Sequence, residues 1–416
     1  MGRNSTVRMN PVGLRRLLSG AVLTFFAGVT LGCGDGDNNP AGPGPGPEPP
    51  PDVGIAPSAG CTDGVLEHGG LYRICFPATW NGDLVLFAHG YIAPQNDLAI
   101  PEESIGGQPA SGVITGMGYA YATTSFRANG LVADVAVDDM LELMDTVEQR
   151  YRPDPARAVV VGFSEGGLVA TLEAERHADR FNGALAGCGP IGDFREQLDY
   201  IADFRVVFDY FYPGLIPGDA LQVPESVRQH WNDIYTPAIV VAFAARPEAA
   251  RQLFAVTGAP TAGSDIRSLA ETAIGLLWYN AFGTADAQAR LGGQPFDNSA
   301  RVYAGSDDDA ALNAGIARYT ADPAALSSIA RFTTSGTPQA PLINLHTTGD
   351  PIVPFSQAGL YADKVRQAGN GNFTQVNVTR AGHCNFQASE LLNAFNDLWQ
   401  QIDNQPPTPL TLTVLP

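Results

Sequence analysis

Basic residues are scarce in this chain. Lys and Arg together number 24 against 43 Asp and Glu, a formal net charge of -19. No Lys/Arg cluster follows the first 16 residues. The electrostatic footprint of a nucleic-acid binder is therefore missing, and the acidity reads as a solvated, non-aggregating surface. Long apolar runs are missing too. The nearest, Leu17 to Leu31, is too short and too interrupted by glycine to span a bilayer comfortably. There is no H-E-x-x-H, no Walker loop and no dinucleotide fingerprint, so no metal site and no cofactor are expected. Asp307-Asp308-Asp309 comes closest to a cation loop, but it lacks the spacing and reads as the cap of a helix starting near Ala310. Cysteines number only five.

The N-terminus reads as an export address. Arg3, Arg8, Arg15 and Arg16 precede the apolar stretch, and residues 1–32 read as a signal peptide. Thr30-Leu31-Gly32-Cys33 resembles the lipobox of bacterial lipoproteins, which would make Cys33 the lipidated first residue. The alternative is an ordinary signal peptide with Cys33 incidental. The protein is then lipid-anchored to a bacterial envelope membrane, or otherwise periplasmic or secreted. Membrane contact would come only through that N-terminal anchor. Residues 33–58 are rich in Gly, Pro, Asp and Asn and read as a tether. An exported protein permits disulfides. Cys61 and Cys75 flank a hairpin-like segment turning at Gly69-Gly70, which favours a local bridge and leaves Cys188 for Cys384.

At 416 residues the chain has room for one large domain with an insertion, or for two domains. Strands are read at Leu71–Phe76, Leu84–Ala88, Met117–Ser125, Ala158–Val161 and Gly183–Cys188, with a long amphipathic helix over Ala133–Tyr151. Asp138 and Asp139 on that helix are expected at the solvent. Strands return at Pro341–His346 and Phe373–Thr379, with helices over Ser356–Gln367 and Ala388–Ile402. Alternating strands and helices imply a mostly parallel central sheet flanked by helices, an α/β architecture. Core segments are expected at 59–190 and 340–404, with a Pro-rich tail over 405–416. Residues 191–339 are Ala-rich without strand alternation and read as a helical cap inserted after the strand that follows Ser164. Aromatic residues crowd this cap, most of them expected in its own core; Tyr210-Phe211-Tyr212-Pro213-Gly214 is not expected to be wholly buried, which favours a bulky, partly apolar substrate.

The stretch Gly162-Phe163-Ser164-Glu165-Gly166 lies between the Val-rich strand and a helical run. Strand, G-x-S-x-G, helix is the context of a nucleophile elbow, where a strained turn lifts a serine hydroxyl into the open. Serine needs a base in contact to attack a carbonyl. Of six histidines only His383 follows the last strand directly. The carboxylate partner is Asp350, after the penultimate strand, or Asp193, after the strand following the elbow.

These residues resemble the α/β-hydrolase superfamily, from about Gly70 to Ile402 apart from the cap. The resemblance rests on His89-Gly90-Tyr91 after an early strand, then Ser164, Asp350 and His383 in family order. It implies an α/β-hydrolase fold and a triad of Ser164, His383 and Asp350. It further implies an oxyanion hole from the backbone N–H groups of Tyr91 and Glu165, and His89 as holder of loop shape. The Glu165 side chain would be a solvated helix-start carboxylate or a substrate contact. Tannases and feruloyl esterases bridge a His-Cys to a cysteine just before the serine, whereas here Phe163 holds that place. The expected function is an exported serine hydrolase of carboxylic esters, taking a small-molecule or polymeric ester. Its alternatives are a prolyl-oligopeptidase-like or aminopeptidase-like peptidase, and a non-catalytic binding lipoprotein on a hydrolase scaffold.

Overall fold

The computed structural model describes residues 55–404 and the backbone of 411–415. The expected signal peptide, Cys33, most of the tether and residues 405–410 lie outside the described residues. Among the described residues eleven strands occur, in chain order: β1 Gly60–Val65, β2 Leu71–Phe76, β3 Asp83–Ala88, β4 Ser104–Ile105, β5 Gln108–Pro109, β6 Ala120–Thr124, β7 Arg157–Phe163, β8 Gly183–Gly187, β9 Leu342–Gly349, β10 Phe373–Ala381 and β11 Thr411–Leu415. Strands β4 and β5 form a small hairpin. The other nine make one sheet in the order β1-β2-β6-β3-β7-β8-β9-β10-β11. Within that sheet only the β1–β2 and β2–β6 pairs are antiparallel.

The central strands are buried on both faces, which is why they read as unbroken apolar runs. Their side chains still alternate. Leu84, Leu86, Ala158 and Val160 enter one core, and Val85, Phe87, Val159 and Val161 enter the other. Helices α1 (Ala110–Gly116) and α12 (Ala388–Asn404) cover the second face with Ile114, Phe395, Leu398 and Trp399. Helices α2 (Ala133–Arg150) and α3 (Glu165–Arg176) cover the first, joined by α11 (Ser356–Ala368) through Tyr361 and Val365.

Between β8 and β9 the described chain forms no strand. It runs through α4 (Phe194–Phe211), α5 (Glu225–Gln229), α6 (Thr236–Ala245), α7 (Pro247–Thr257), α8 (Ile266–Leu291), α9 (Asp309–Gly315) and α10 (Pro323–Ser328). This insertion carries its own apolar core, built around Phe204, Phe208, Phe243, Leu276 and Leu277.

The structure adds to or departs from the sequence reading at four places. Helix α1, which the sequence reading did not assign, precedes β6, and β6 begins at Ala120, where a start at Met117 was expected. Its glycines make it a poor helix in isolation, and packing of Ala110 and Ile114 on the sheet decides its state. Residues 411–415 of the tail pair in parallel with β10 as an edge strand. Asp139 is fully buried, with Oδ2 accepting the Arg127 N–H at 2.8 Å and Oδ1 accepting from Arg127 Nε at 2.6 Å. Phe211 and Tyr212 are buried in the core of the insertion, away from Ser164, since Tyr212 stacks on Phe208 and Phe243.

Candidate active site

Ser164 stands between β7 and α3 with φ 57° and ψ −123°, a backbone region that L-residues avoid. The turn is tight enough to require glycine on either side. A Cβ on Gly162 would lie 2.0 Å from the Gly166 carbonyl oxygen, and one on Gly166 would lie 2.0 Å from that of Ala88. The sharp reversal leaves the serine hydroxyl free of the helix it begins.

His383 follows β10, and Asp350 follows β9. Parallel pairing of these adjacent strands puts both residues at the same sheet edge as the end of β7. His383 Nε2 lies 2.9 Å from Ser164 Oγ, and Nδ1 lies 2.8 Å from Asp350 Oδ2. Asp350 is fully buried, and its Oδ1 accepts the N–H groups of Ile352 at 2.9 Å and Val353 at 3.0 Å. Asp193, the other candidate acid, instead caps α4 by accepting the N–H groups of Arg195 and Glu196. His346 is buried beside Asp350. Its Nε2–H donates to the Val353 carbonyl at 2.9 Å, and burial lowers its pKa. It is a neutral buttress under the acid loop.

The loop after β3 lies against the nucleophile. A Cβ on Gly90 would come within 3.3 Å of Ser164 Cβ, so the peptide leading to Tyr91 passes directly beside the hydroxyl. The buried His89 donates from Nδ1 to the Gly90 carbonyl at 2.6 Å and stacks on Phe126. Glu165 opens α3, so its N–H lacks a helical acceptor and remains available to developing charge.

The Glu165 side chain has turned inward. It is 6% exposed, and Oε1 accepts the N–H groups of Val132 at 2.7 Å and Ala133 at 2.9 Å. It therefore serves the start of α2 from the first residue of α3. Burial, with Asp286 and Asp134 nearby, pushes its pKa up to about 8. Nothing local in the sequence announces this role, because Val132 and Ala133 lie some thirty positions upstream.

Beside Ser164 opens a cavity of about 120 Å³. Tyr91 and Leu131 line it from the core, and Phe194, Ile201, Tyr279 and Phe296 from the insertion. Helix α4 also grips the acid loop. Gln197 Nε2 donates to the Ile352 carbonyl at 2.8 Å, and the Tyr200 hydroxyl donates to the Pro351 carbonyl at 2.7 Å. Sequence reasoning gave neither residue a part in the site.

Two disulfides are present. Cys61–Cys75 joins facing residues of β1 and β2. Cys188–Cys384 spans 196 positions and ties the end of β8 to the residue after His383. Both of its cysteines sit at positive φ, 46° and 49°. Among the described residues Cys188, His383 and Cys384 form the one cluster of metal-donor side chains, and its two sulfurs are bonded to each other. A disulfide lacks the thiolate that a metal would need.

The sequence model of the prolyl oligopeptidase family matches residues 113–200, which include the elbow. A search of curated proteins finds no match. Solved structures similar to this chain include feruloyl esterase B from Aspergillus oryzae, at 14% identity over 79% of this chain and 73% of that one, TM-score 0.45. An esterase from Thermogutta terrifontis is 14% identical over 83% of this chain and 100% of its own, TM-score 0.40. Acylaminoacyl peptidase from Pyrococcus horikoshii is 10% identical over 82% of this chain and 40% of its own, TM-score 0.37. The mostly parallel sheet, the elbow between β7 and α3, and the chain order Ser164, Asp350, His383 at one sheet edge give this protein an α/β-hydrolase fold.

Proposed function

We propose that the protein hydrolyses carboxylic esters through an acyl-enzyme on Ser164. The observation that carries this reading is the double engagement of His383, 2.9 Å from Ser164 Oγ and 2.8 Å from Asp350 Oδ2. With Nδ1–H held by the buried carboxylate, Nε2 is left unprotonated and faces the hydroxyl. His383 takes the serine proton as Oγ bonds to the ester carbonyl carbon. The resulting oxyanion is held by the N–H groups of Glu165 and Tyr91, each worth about 3 kcal/mol. The alcohol leaves with the proton from His383. Water then repeats the sequence and releases the acid.

The apolar walls of the cavity favour an ester with an apolar arm. Export, with or without a lipid on Cys33, belongs to the same proposal. Two disulfides in one chain support an oxidising compartment.

Labelling with a fluorophosphonate tests the mechanism. A stoichiometric adduct on Ser164, lost in Ser164→Ala and His383→Ala, is expected. No adduct on folded protein would overturn it. A second reading, amide or peptide hydrolysis, is favoured by the match of residues 113–200 to the prolyl oligopeptidase family. Faster cleavage of aminoacyl nitroanilides than of p-nitrophenyl esters would select it.

A further inference from the structure

We propose that the side chain of Glu165 sets the specificity of the Ser164 cavity. Uncharged, it completes an apolar site for neutral substrate arms; ionised, it turns the same site toward arms that carry a cation. This rests on the hydrolase reading above and adds the class of substrate.

The geometry comes first. Glu165 lines the cavity next to Ser164 and is 6% exposed. Its Oε1 is occupied by the N–H groups of Val132 and Ala133. Its Oε2 has no hydrogen-bond partner among the described residues, so it is the oxygen left to face the cavity. The remaining polar lining does not titrate near neutrality. Tyr91 and Tyr279 are phenols whose pKa values are raised by burial, Tyr279 to about 12. Gln197 and Thr284 are neutral. Glu165 is thus the one group in this wall whose charge can change in the ordinary pH range.

The groups facing it come from three elements. Asp286 lies on α8, with its pKa also raised by burial, and Oδ2 accepts the Leu131 N–H at 2.6 Å. Asp134 lies at the start of α2 and is paired with Arg290 through Oδ1. Tyr91 and Tyr279 complete the surroundings from the loop after β3 and from α8. No cation is paired with Glu165 among the described residues. The two acids oppose its ionisation, and the two backbone N–H groups favour it. A buried carboxyl so balanced stays neutral until the solution is mildly alkaline, or until an entering cation supplies the missing counter-charge. A neutral apolar arm meets no charge in the first state. It meets an unpaired buried charge in the second, which is costly.

The test compares isosteric esters that do not titrate. p-Nitrophenyl 7,7-dimethyloctanoate is set against p-nitrophenyl 6-(trimethylammonio)hexanoate, which replaces the terminal quaternary carbon with nitrogen. The pair 3,3-dimethylbutyl acetate and its trimethylammonium isostere places the charge on the alcohol arm. The readout is the ratio of kcat/KM, neutral over cationic, from pH 6.5 to 9.5. Taking the ratio cancels pH effects on His383 and on the oxyanion that both substrates share. In at least one pair the ratio is expected to fall about tenfold or more, mainly through KM, with a midpoint near pH 8. Glu165→Gln keeps an oxygen for Val132 and Ala133 but cannot ionise, so its ratio should be flat. A flat ratio in the unaltered protein for both pairs, or the same fall in folded Glu165→Gln, would overturn the proposal. Hydrolysis independent of Ser164, with no fluorophosphonate adduct, would remove the hydrolase reading itself and this inference with it. Specific labelling of Ser164 with a flat ratio would remove only the inference.

Discussion

Asp350 divides its two oxygens between His383 and its own loop: Oδ2 meets Nδ1 of His383 at 2.8 Å, while Oδ1 takes two backbone N–H groups. Asp350→Asn preserves the shape but upsets this division. If the amide oxygen keeps the backbone N–H groups, the NH2 group faces His383 and forces its proton onto Nε2. The base is then blocked. A fall in kcat of about 10⁴-fold is expected, with fluorophosphonate labelling slowed to match. A variant retaining a tenth of the activity would remove Asp350 from the triad.

Cys188–Cys384 should matter to both stability and rate. In the chain-entropy view, closing 196 positions stabilises by about 5 kcal/mol, against about 3 kcal/mol for the 14 positions between Cys61 and Cys75. The double variant Cys188→Ala, Cys384→Ala should therefore lower the urea midpoint further than Cys61→Ala, Cys75→Ala. It should also reduce kcat, because Cys384 adjoins His383. Equal activity in both double variants at a temperature where both are folded would contradict that second effect.

Glu165 gives stability a dependence on pH whose sign can be worked out. Its folded pKa is raised to about 8 from the model-compound value of 4.5. Between those limits the unfolded chain loses a proton that the folded chain keeps. The favourable contribution is thus complete below about pH 4.5 and is lost as pH rises toward 8. Relative to the unaltered protein, Glu165→Gln should gain stability steadily across that window, at up to about 1.4 kcal/mol per unit, and then level off. Denaturant titrations of both proteins at intervals of one pH unit would measure it. A constant difference would mean that Glu165 is ionised in the fold.

Gly283 lies within α8 and lines the cavity. A Cβ there would stand 3.7 Å from the Tyr91 hydroxyl, an ordinary contact. Gly283→Ala should stabilise the helix by up to about 1 kcal/mol. Gly283→Leu reaches into the cavity and should raise KM for long-chain p-nitrophenyl esters while sparing the acetate. A chain-length series with unchanged KM values would place the substrate arm elsewhere.

The central sheet was readable because its strands are buried on both sides, and a run such as Ala158–Val161 has no competing explanation. The glycines at 162 and 166 were readable for a similar reason, since no other side chain fits beside those carbonyls. Three features depend on partners distant in sequence. Asp139 reads as an exposed helix acid until Arg127 is seen lying over it. Glu165 reads as a dipole-favoured helix start until the N–H groups of Val132 and Ala133 are seen pointing at it. Aromatic count in the insertion does not identify which rings reach the substrate. Phe194 and Tyr279 do line the cavity, whereas Phe211 and Tyr212 close the insertion's own core.

The hydrogen bonds from Gln197 and Tyr200 to the Ile352 and Pro351 carbonyls bear on how this chain can be re-engineered. Excising residues 191–339, or grafting a different roof in their place, would strip the donors from the same turn that presents Asp350. The carbonyls would have to find water or rotate, and Asp350 would drift with them. Transplanting another hydrolase's roof therefore requires rewriting positions 351–353 in the same step, so that substrate range and catalytic alignment have to be redesigned as a single unit.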